Sequence, residues 1–220
     1  MSRRQDASGT SYHHGDLRRQ LVQEALAMVE GEGVEALSLR KLAERVGVSQ
    51  TALYHHFRDK QALLCALGEE AIALLSGQMR QGLAEAEGLE ARFERFVSIY
   101  VKFALEHAEL YELLFGRAIW KGNGPESEAF RAKARASFRS FAEMGSALQA
   151  QGYLSPDLNP LRLAQVLWGT LHGLCRMYND GLAFSPADVE DISQYARWLL
   201  QRLRSMEEGK KKRLPGGRRS

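Results

Sequence analysis

The stretch SLRKLAERVGVSQTALYHHF, Ser38 to Phe57, holds two short amphipathic runs separated at a single glycine, Gly47. In the first run Leu39, Leu42, Ala43 and Val46 recur at helical spacing behind Ser38, a residue suited to cap a helix N-terminus. In the second, Ser49 takes the capping place, and Ala52, Leu53 and Phe57 supply the inward side. The outward side carries Gln50, Thr51, Tyr54, His55 and His56 where a core helix would carry leucine. Every one of these side chains can hydrogen-bond. Two short helices about a glycine turn, the second polar and aromatic on its open face, read as a helix-turn-helix whose second member enters the major groove of DNA.

The rest of the 220-residue chain is compatible with an all-α protein. Hydrophobic residues make up 45% of it, enough to bury a core and to argue against wholesale disorder. All five prolines fall at or beyond position 125, so the first 124 residues are free to form long helices. The two cysteines, Cys65 and Cys175, lie inside apolar runs with no CxxC, which suits a reduced, cytoplasmic protein. No apolar run approaches the roughly 18 residues of a membrane span, and the polar start lacks the apolar core of a signal peptide. The net charge of +3 is a property of the tail: residues 210–220 hold six basic and no acidic residues, leaving 1–209 net negative. Residues 1–60 hold nine Lys or Arg against eight Asp or Glu, so the case for DNA rests on local placement, and non-specific affinity should be modest. The basic tail reads as a solvated end or an auxiliary phosphate-binding arm.

Periodicity predicts about nine helices. The first runs from Leu17, capped by Asp16, through Leu21, Ala25, Met28 and Val29 to Gly33. His13 and His14 precede it, as a lead-in or as flanking phosphate contacts. After the helix-turn-helix, Asp59 caps a long fourth helix that runs to about Gly82 and links two domains. A fifth follows Gly88, with Phe93, Phe96, Val97, Tyr100 and Ala104 inward, and a short sixth ends before Gly116. Beyond the loop KGNGP, Lys121 to Pro125, a seventh is built on Phe130, Ala134, Phe138, Phe141 and Leu148. The penultimate helix starts near Pro160. The last starts at Ser185-Pro186-Ala187-Asp188, and its apolar positions from Val189 to Met206 step by threes and fours as a coiled-coil-like seam. The domain expectation is an N-terminal arm and helix-turn-helix in 1–60, a C-terminal helical domain in 61–208 and a disordered basic tail in 209–220.

Each polar residue of the open face has a chemical use at a duplex. Gln50 can bridge the two edge groups of adenine, Thr51 can offer a hydroxyl to phosphate or a methyl to thymine, and His55 follows one turn on. Ser49, Tyr54 and His56 suit backbone oxygens. Lys60 opens the fourth helix, where a cation opposes the helix dipole but is useful beside a phosphate held by that turn. Tyr54 and Phe57 also fit a core, and for Phe57 the core is the preferred reading. Adjacent histidines point in different directions on a helix, so His55 and His56 are not expected to hold a metal, and no cofactor is expected. No nucleophile with a base and no phosphate-cradling loop appears, so the chain does not read as an enzyme.

LSLRKLAERVGVSQTALYHHFRDKQALL, Leu37 to Leu64, resembles the DNA-binding segment of TetR-family regulators, with YHHGDLRRQLVQEALAMVEGEG preceding it as that family's first helix. The resemblance is specific over about fifty residues, and the nine-helix layout agrees with it. It implies a contact between Arg40 and a base, against the alternative of an ordinary solvated arginine. LWGTLHG, with Trp168, His172 and Gly173, and HAELYELLFG resemble a subgroup marked by a tryptophan and a histidine-glycine pair in the penultimate helix, although Ala108 stands where relatives often have proline. In that reading Trp168 and His172 line an effector pocket with Phe96, Tyr100, Phe103, Tyr111, Phe115, Phe138 and Phe141. The alternative is that these residues are core.

Gly169 and Gly173 inside a helix each cost about 1 kcal/mol against alanine, which close approach of a partner helix or ligand would offset. The resemblance implies a homodimeric repressor on a near-palindromic double-stranded DNA operator, released by a small apolar effector. The dimer would be built from the last two helices through Leu167, Leu171, Leu174, Ile192, Leu199 and Leu203. A DNA-bound adaptor of the same fold, acting through a protein partner without a small effector, is the alternative.

Overall fold

The computed structural model describes residues 13–154 and 157–182, with positions 191, 194, 195, 198 and 202. The last predicted helix is described at those five positions alone, all of them helical, while Ile192, Leu199 and Leu203 and the tail 209–220 lie outside the described residues. Among the described residues every regular element is helical: α1 (His13–Glu32), α2 (Leu39–Val46), α3 (Gln50–Tyr54), α4 (Lys60–Ala84), α5 (Gly88–Glu106), α6 (Ala108–Phe115), α7 (Arg117–Trp120), α8 (Pro125–Ala150) and α9 (Pro160–Asn179). The chain is thus all-α, as its periodicity predicts. It divides into two compact units, one holding residues up to Ala71 with Glu109–Arg131, the other Ile72–Ala108 with the residues from Ala132 onward.

In the first unit α1 begins at His13, one turn before the predicted start. Asp16 therefore lies within the first turn and not at the cap, and no proline in His13–Gly15 resists the extra turn. Gly33, at φ 82°, ends the helix in the left-handed conformation that only glycine adopts without strain. Ser38 stands at the N-cap of α2 without a capping side-chain hydrogen bond. Gly47, at φ 75°, closes α2, and Val48 N–H donates back to the Ala43 carbonyl at 2.9 Å. Ser49 caps α3 by accepting from Ala52 N–H at 3.1 Å, and Asp59 caps α4 by accepting from Ala62 N–H at 2.7 Å. Leu21, Ala25, Leu42, Leu53, Leu63 and Leu67 form the shared core. On its surface Arg45 reaches Glu24 at 2.6 Å and Glu32 at 2.9 Å, clipping α2 to α1.

The same unit takes in α6 and α7, whose Leu110, Tyr111, Leu113, Leu114 and Ile119 are buried. The short α7 was not predicted. Trp120 Nε1 donates to the Leu114 carbonyl at 2.8 Å and its ring meets Phe130 edge-on, which secures a helix too short for periodicity to reveal.

In the second unit α5 packs on α9, and Asn179 Nδ2 donates to the Ala104 carbonyl at 3.0 Å. Asn159 caps α9 by accepting from Arg162 N–H at 3.1 Å, and Pro160 occupies its first turn. Tyr153 Oη donates to Glu90 at 2.9 Å.

No unbroken apolar run in α4 approaches a membrane span, because Glu69 and Glu70 interrupt it. α4 is nonetheless long and apolar enough, by length and composition, to cross a membrane. Some 44% of its most apolar window is buried inside the protein, as in a core helix, which passes the same test.

Candidate nucleic-acid interface

α3 is five residues long, and its two ends are fixed by different means. The Ser49 hydroxyl holds the first turn, while Leu53, fully buried, and Phe57, 2% exposed, pin the other end into the core. Arg18 of α1 lies over the Phe57 ring, 5.2 Å from its centre. With that side committed, Gln50, Thr51, Tyr54 and His55 are exposed and His56 is half-buried. Tyr54 keeps half of its surface open to solvent, unusual for so large a ring. The open face is therefore the polar and aromatic set read from the sequence, and it is a face without leucine.

Two of the basic residues singled out from the sequence stand on the neighbouring helices. Arg40 of α2 is exposed and its Nε lies 3.9 Å from Glu44, a loose pair one helical turn apart. Lys60 is half-buried and its Nζ donates to the Val34 carbonyl at 3.4 Å, joining the start of α4 to the loop that follows α1. Arg58, which the sequence reading did not single out, stands between α3 and α4 and pairs with Asp59 at 3.2 Å and Glu126 at 3.1 Å. A count of cations around the turn would have found it, but its pairing with Glu126 depends on contacts distant in sequence.

The residues assigned to an effector pocket fall into two groups. In the second unit, rings run in an unbroken series: Tyr100 to Phe96 at 6.4 Å, Phe96 to Phe141 at 4.7 Å, Phe141 to Phe138 at 6.1 Å, Phe138 to Trp168 at 5.9 Å and Trp168 stacked on His172 at 5.1 Å. Phe103 is buried in the same unit. Tyr111 and Phe115, in contact at 4.8 Å, belong to the first unit. An open groove of about 530 Å³ elsewhere in the second unit is lined by Glu85, Ala86, Glu87, Ala91, Glu94, Arg95 and Ser98, none of them in the aromatic series. Among the described residues no group of three or more His, Cys, Asp or Glu could hold a metal ion.

On α9, Leu171 is buried in its own chain, and Leu167 and Leu174 are half-buried. The exposed positions are Leu161, Arg162, Gln165, Val166, Gly169, Thr170 and Met177. Val166 is 65% exposed, and among the described residues no atom lies near enough to Gly169 or Gly173 to exclude a side chain at either.

Comparison with known proteins agrees with this arrangement. Residues 21–67 match the model of bacterial regulatory proteins of the tetR family, and residues 93–203 match that of the tetracyclin repressor-like C-terminal domain. The class A tetracycline repressor protein from transposon 1721 of Escherichia coli is 53% identical over 53 residues, which is 24% of each chain. The chain thus spans about a quarter of the length of the curated relatives it matches. A solved protein of unknown function from Rhodococcus sp. RHA1 is 35% identical with a TM-score of 0.74, covering 88% of this chain and 98% of its own. AibR, solved in complex with isovaleryl coenzyme A and operator DNA, shares the fold at a TM-score of 0.63 and 18% identity, covering 83% of this chain and 96% of its own. With residues 21–67 matched by the one model and half its length by the other, the chain belongs to the TetR family of bacterial regulatory proteins.

Proposed function

We propose that the protein is a homodimeric transcriptional repressor that reads a near-palindromic DNA operator with α3 and is released by a small apolar effector. The observation that carries this reading is the open face of α3. Four exposed hydrogen-bonding side chains, Gln50, Thr51, Tyr54 and His55, stand on a helix whose cap and apolar side hold it rigid. In this reading Gln50 and Thr51 meet base edges, Ser49, Tyr54, His56 and Lys60 meet the backbone, and Arg40 reaches a base from α2.

Two copies place two such helices in successive major grooves, about 34–36 Å apart. The exposed face of α9 supports a contact between copies, since among the described residues no atom requires glycine at either position. Leu167, Leu174 and the seam residues Ile192, Leu199 and Leu203 would flank it. The effector reading extends the resemblance to the subgroup with Trp168, His172 and Gly173, and an aromatic lining favours an acyl-type molecule such as the isovaleryl coenzyme A with which AibR was solved.

Selection of bound fragments from random DNA tests the main reading. A recovered consensus with two-fold symmetry and half-sites about one helical turn apart is expected. Recovery of no consensus, or of an asymmetric one, would count against it. The adaptor alternative is favoured by the ring-on-ring contacts of the aromatic series, which fill space with the protein's own atoms. Titration with acyl coenzyme A thioesters of increasing chain length separates the two, because an adaptor keeps its hold on the consensus fragment throughout.

A further inference from the structure

Along the start of α4 one face steps by three and four residues through Arg58, Gln61, Cys65 and Gly68, and it carries no leucine. All four meet the segment from Ile119 to Phe130 within the first unit. Arg58 Nη2 lies 3.1 Å from Glu126 Oε2. Gln61 Nε2 donates to the Ile119 carbonyl at 2.8 Å. The Cys65 thiol and the Ser127 hydroxyl, both buried, are 3.5 Å apart. Gly68 lies so close to Ile119 and Phe130 that a methyl group would collide with both. The opposing segment is fitted as tightly: Gly122 lies against Gln61 and Ser127, and Gly124 against Arg58, again without room for a methyl group. Arg131 Nη1 closes the loop by donating to the Gly122 carbonyl at 2.8 Å.

Apolar burial is non-directional and tolerates sliding, whereas hydrogen bonds lose their strength over a few tenths of an ångström and a few tens of degrees. A face made of charge, amide, thiol and glycine therefore sets position more than it adds stability. We propose that Gln61 and Ser127 are positioning residues for DNA recognition, holding the first turns of α4 in the one register that aims Gln50, Thr51 and Tyr54 at the duplex. The inference rests on the DNA-binding reading above. Five residues separate α3 from α4, and they are held by Phe57 in the core and Asp59 at the cap, so the register of α4 passes to α3 with little slack. α8 is unbroken from Pro125 to Ala150, so Glu126 and Ser127 belong to the same helix as Phe138 and Phe141 of the aromatic series.

The test uses the full chain and the DNA fragment that the unaltered protein selects from a random pool. Gln61→Leu keeps the helix and its bulk but leaves the Ile119 carbonyl without its donor. A loss of about threefold to tenfold in affinity for the fragment is expected, the range of one net hydrogen bond. The salt slope should stay unchanged because no phosphate contact is removed. Ser127→Cys in the same background puts a thiol beside Cys65. Oxidation with diamide, which takes two electrons and two protons from the thiol pair, then closes a disulfide across the contact. Affinity should return on oxidation and fall again with dithiothreitol.

Glu126→Gln is the second opening variant, with the same expected loss, should Gln61→Leu lower the helical content. A folded variant with undiminished affinity, an altered salt slope, a disulfide that forms without restoring binding, or a pair that will not oxidise would each overturn the proposal. If the unaltered protein selects no DNA, the DNA-binding reading fails and this inference with it. Selection by the parent with indifferent variants sinks the positioning role alone.

Discussion

Gln50 and Lys60 are both polar and both open a helix, yet their surroundings separate their roles. Gln50 is exposed at the first position of α3, so its amide is available to a base edge. Lys60 is half-buried and tied to the Val34 carbonyl, so its charge is held at a fixed place beside the turn. Gln50→Ala should relax preference at one base position, by about 1–3 kcal/mol of discrimination, while leaving other positions unchanged. Lys60→Ala should weaken all sequences alike and lower the salt slope by about 1. Binding to the selected fragment and to its single-base variants, at several salt concentrations, measures both. Equal effects of the two substitutions would mean that reader and anchor are exchanged. Ser49 has a further duty, since its hydroxyl caps a helix of only five residues. Ser49→Ala should cost about 1 kcal/mol of stability in urea unfolding, and Ser49→Asp, which restores the cap, should recover most of it. Recovery of stability without recovery of DNA binding would show that the hydroxyl also meets phosphate, where a carboxylate is repelled.

At the scale of the element, two of the three glycines of α4, Gly68 and Gly77, stand in opposite circumstances. Gly77 has open space around it, so alanine there should stabilise the helix by up to about 1 kcal/mol, the difference in helix propensity. At Gly68 a methyl group would meet Ile119 and Phe130, both buried, so overpacking of about 1–3 kcal/mol should outweigh the same gain. Thermal unfolding should therefore move up for Gly77→Ala and down for Gly68→Ala, and a rise in both would show that the contact at Gly68 yields. Nothing in the sequence separates these two glycines, because the atoms that crowd Gly68 lie some fifty residues further along. The same limit explains what periodicity could and could not reveal. Capped and glycine-terminated helices such as α2, α3 and α4 were legible because Gly47, Ser49 and Asp59 act on neighbours a few residues away. The open face of α3 was legible for the same reason, since Leu53 and Phe57 decide which side is buried. By contrast, α7 is a single turn, too short to show a period, and is held by Trp120. The membership of Glu109–Arg131 in the first unit, and the pairing of Arg58 with Glu126, follow from long-range contacts alone.

At the scale of the whole molecule, the decisive feature is the open face of α9. Gly169 and Gly173 cost helix stability in the single chain, and no atom of the described residues excludes a side chain at either place. If a second copy approaches there, two-fold symmetry makes each added side chain clash twice, once from each protomer. Gly169→Leu should then move folding and assembly in opposite directions. The isolated chain gains up to about 1 kcal/mol from helix propensity, while the dimer is weakened by at least tenfold, on the order of the overpacking cost at one closed contact. Circular dichroism in urea reads the first change and sedimentation equilibrium the second. Operator binding supplies the third measurement, because a chain that no longer pairs holds only one half-site at a time and loses the effective concentration that the second half-site contributed. A monomeric variant should therefore bind a full operator and a single half-site with nearly the same affinity, where the unaltered protein prefers the full operator strongly. A variant that remains dimeric and keeps that preference would place the contact between copies on another face, and would leave the two glycines of α9 to be explained by a different partner.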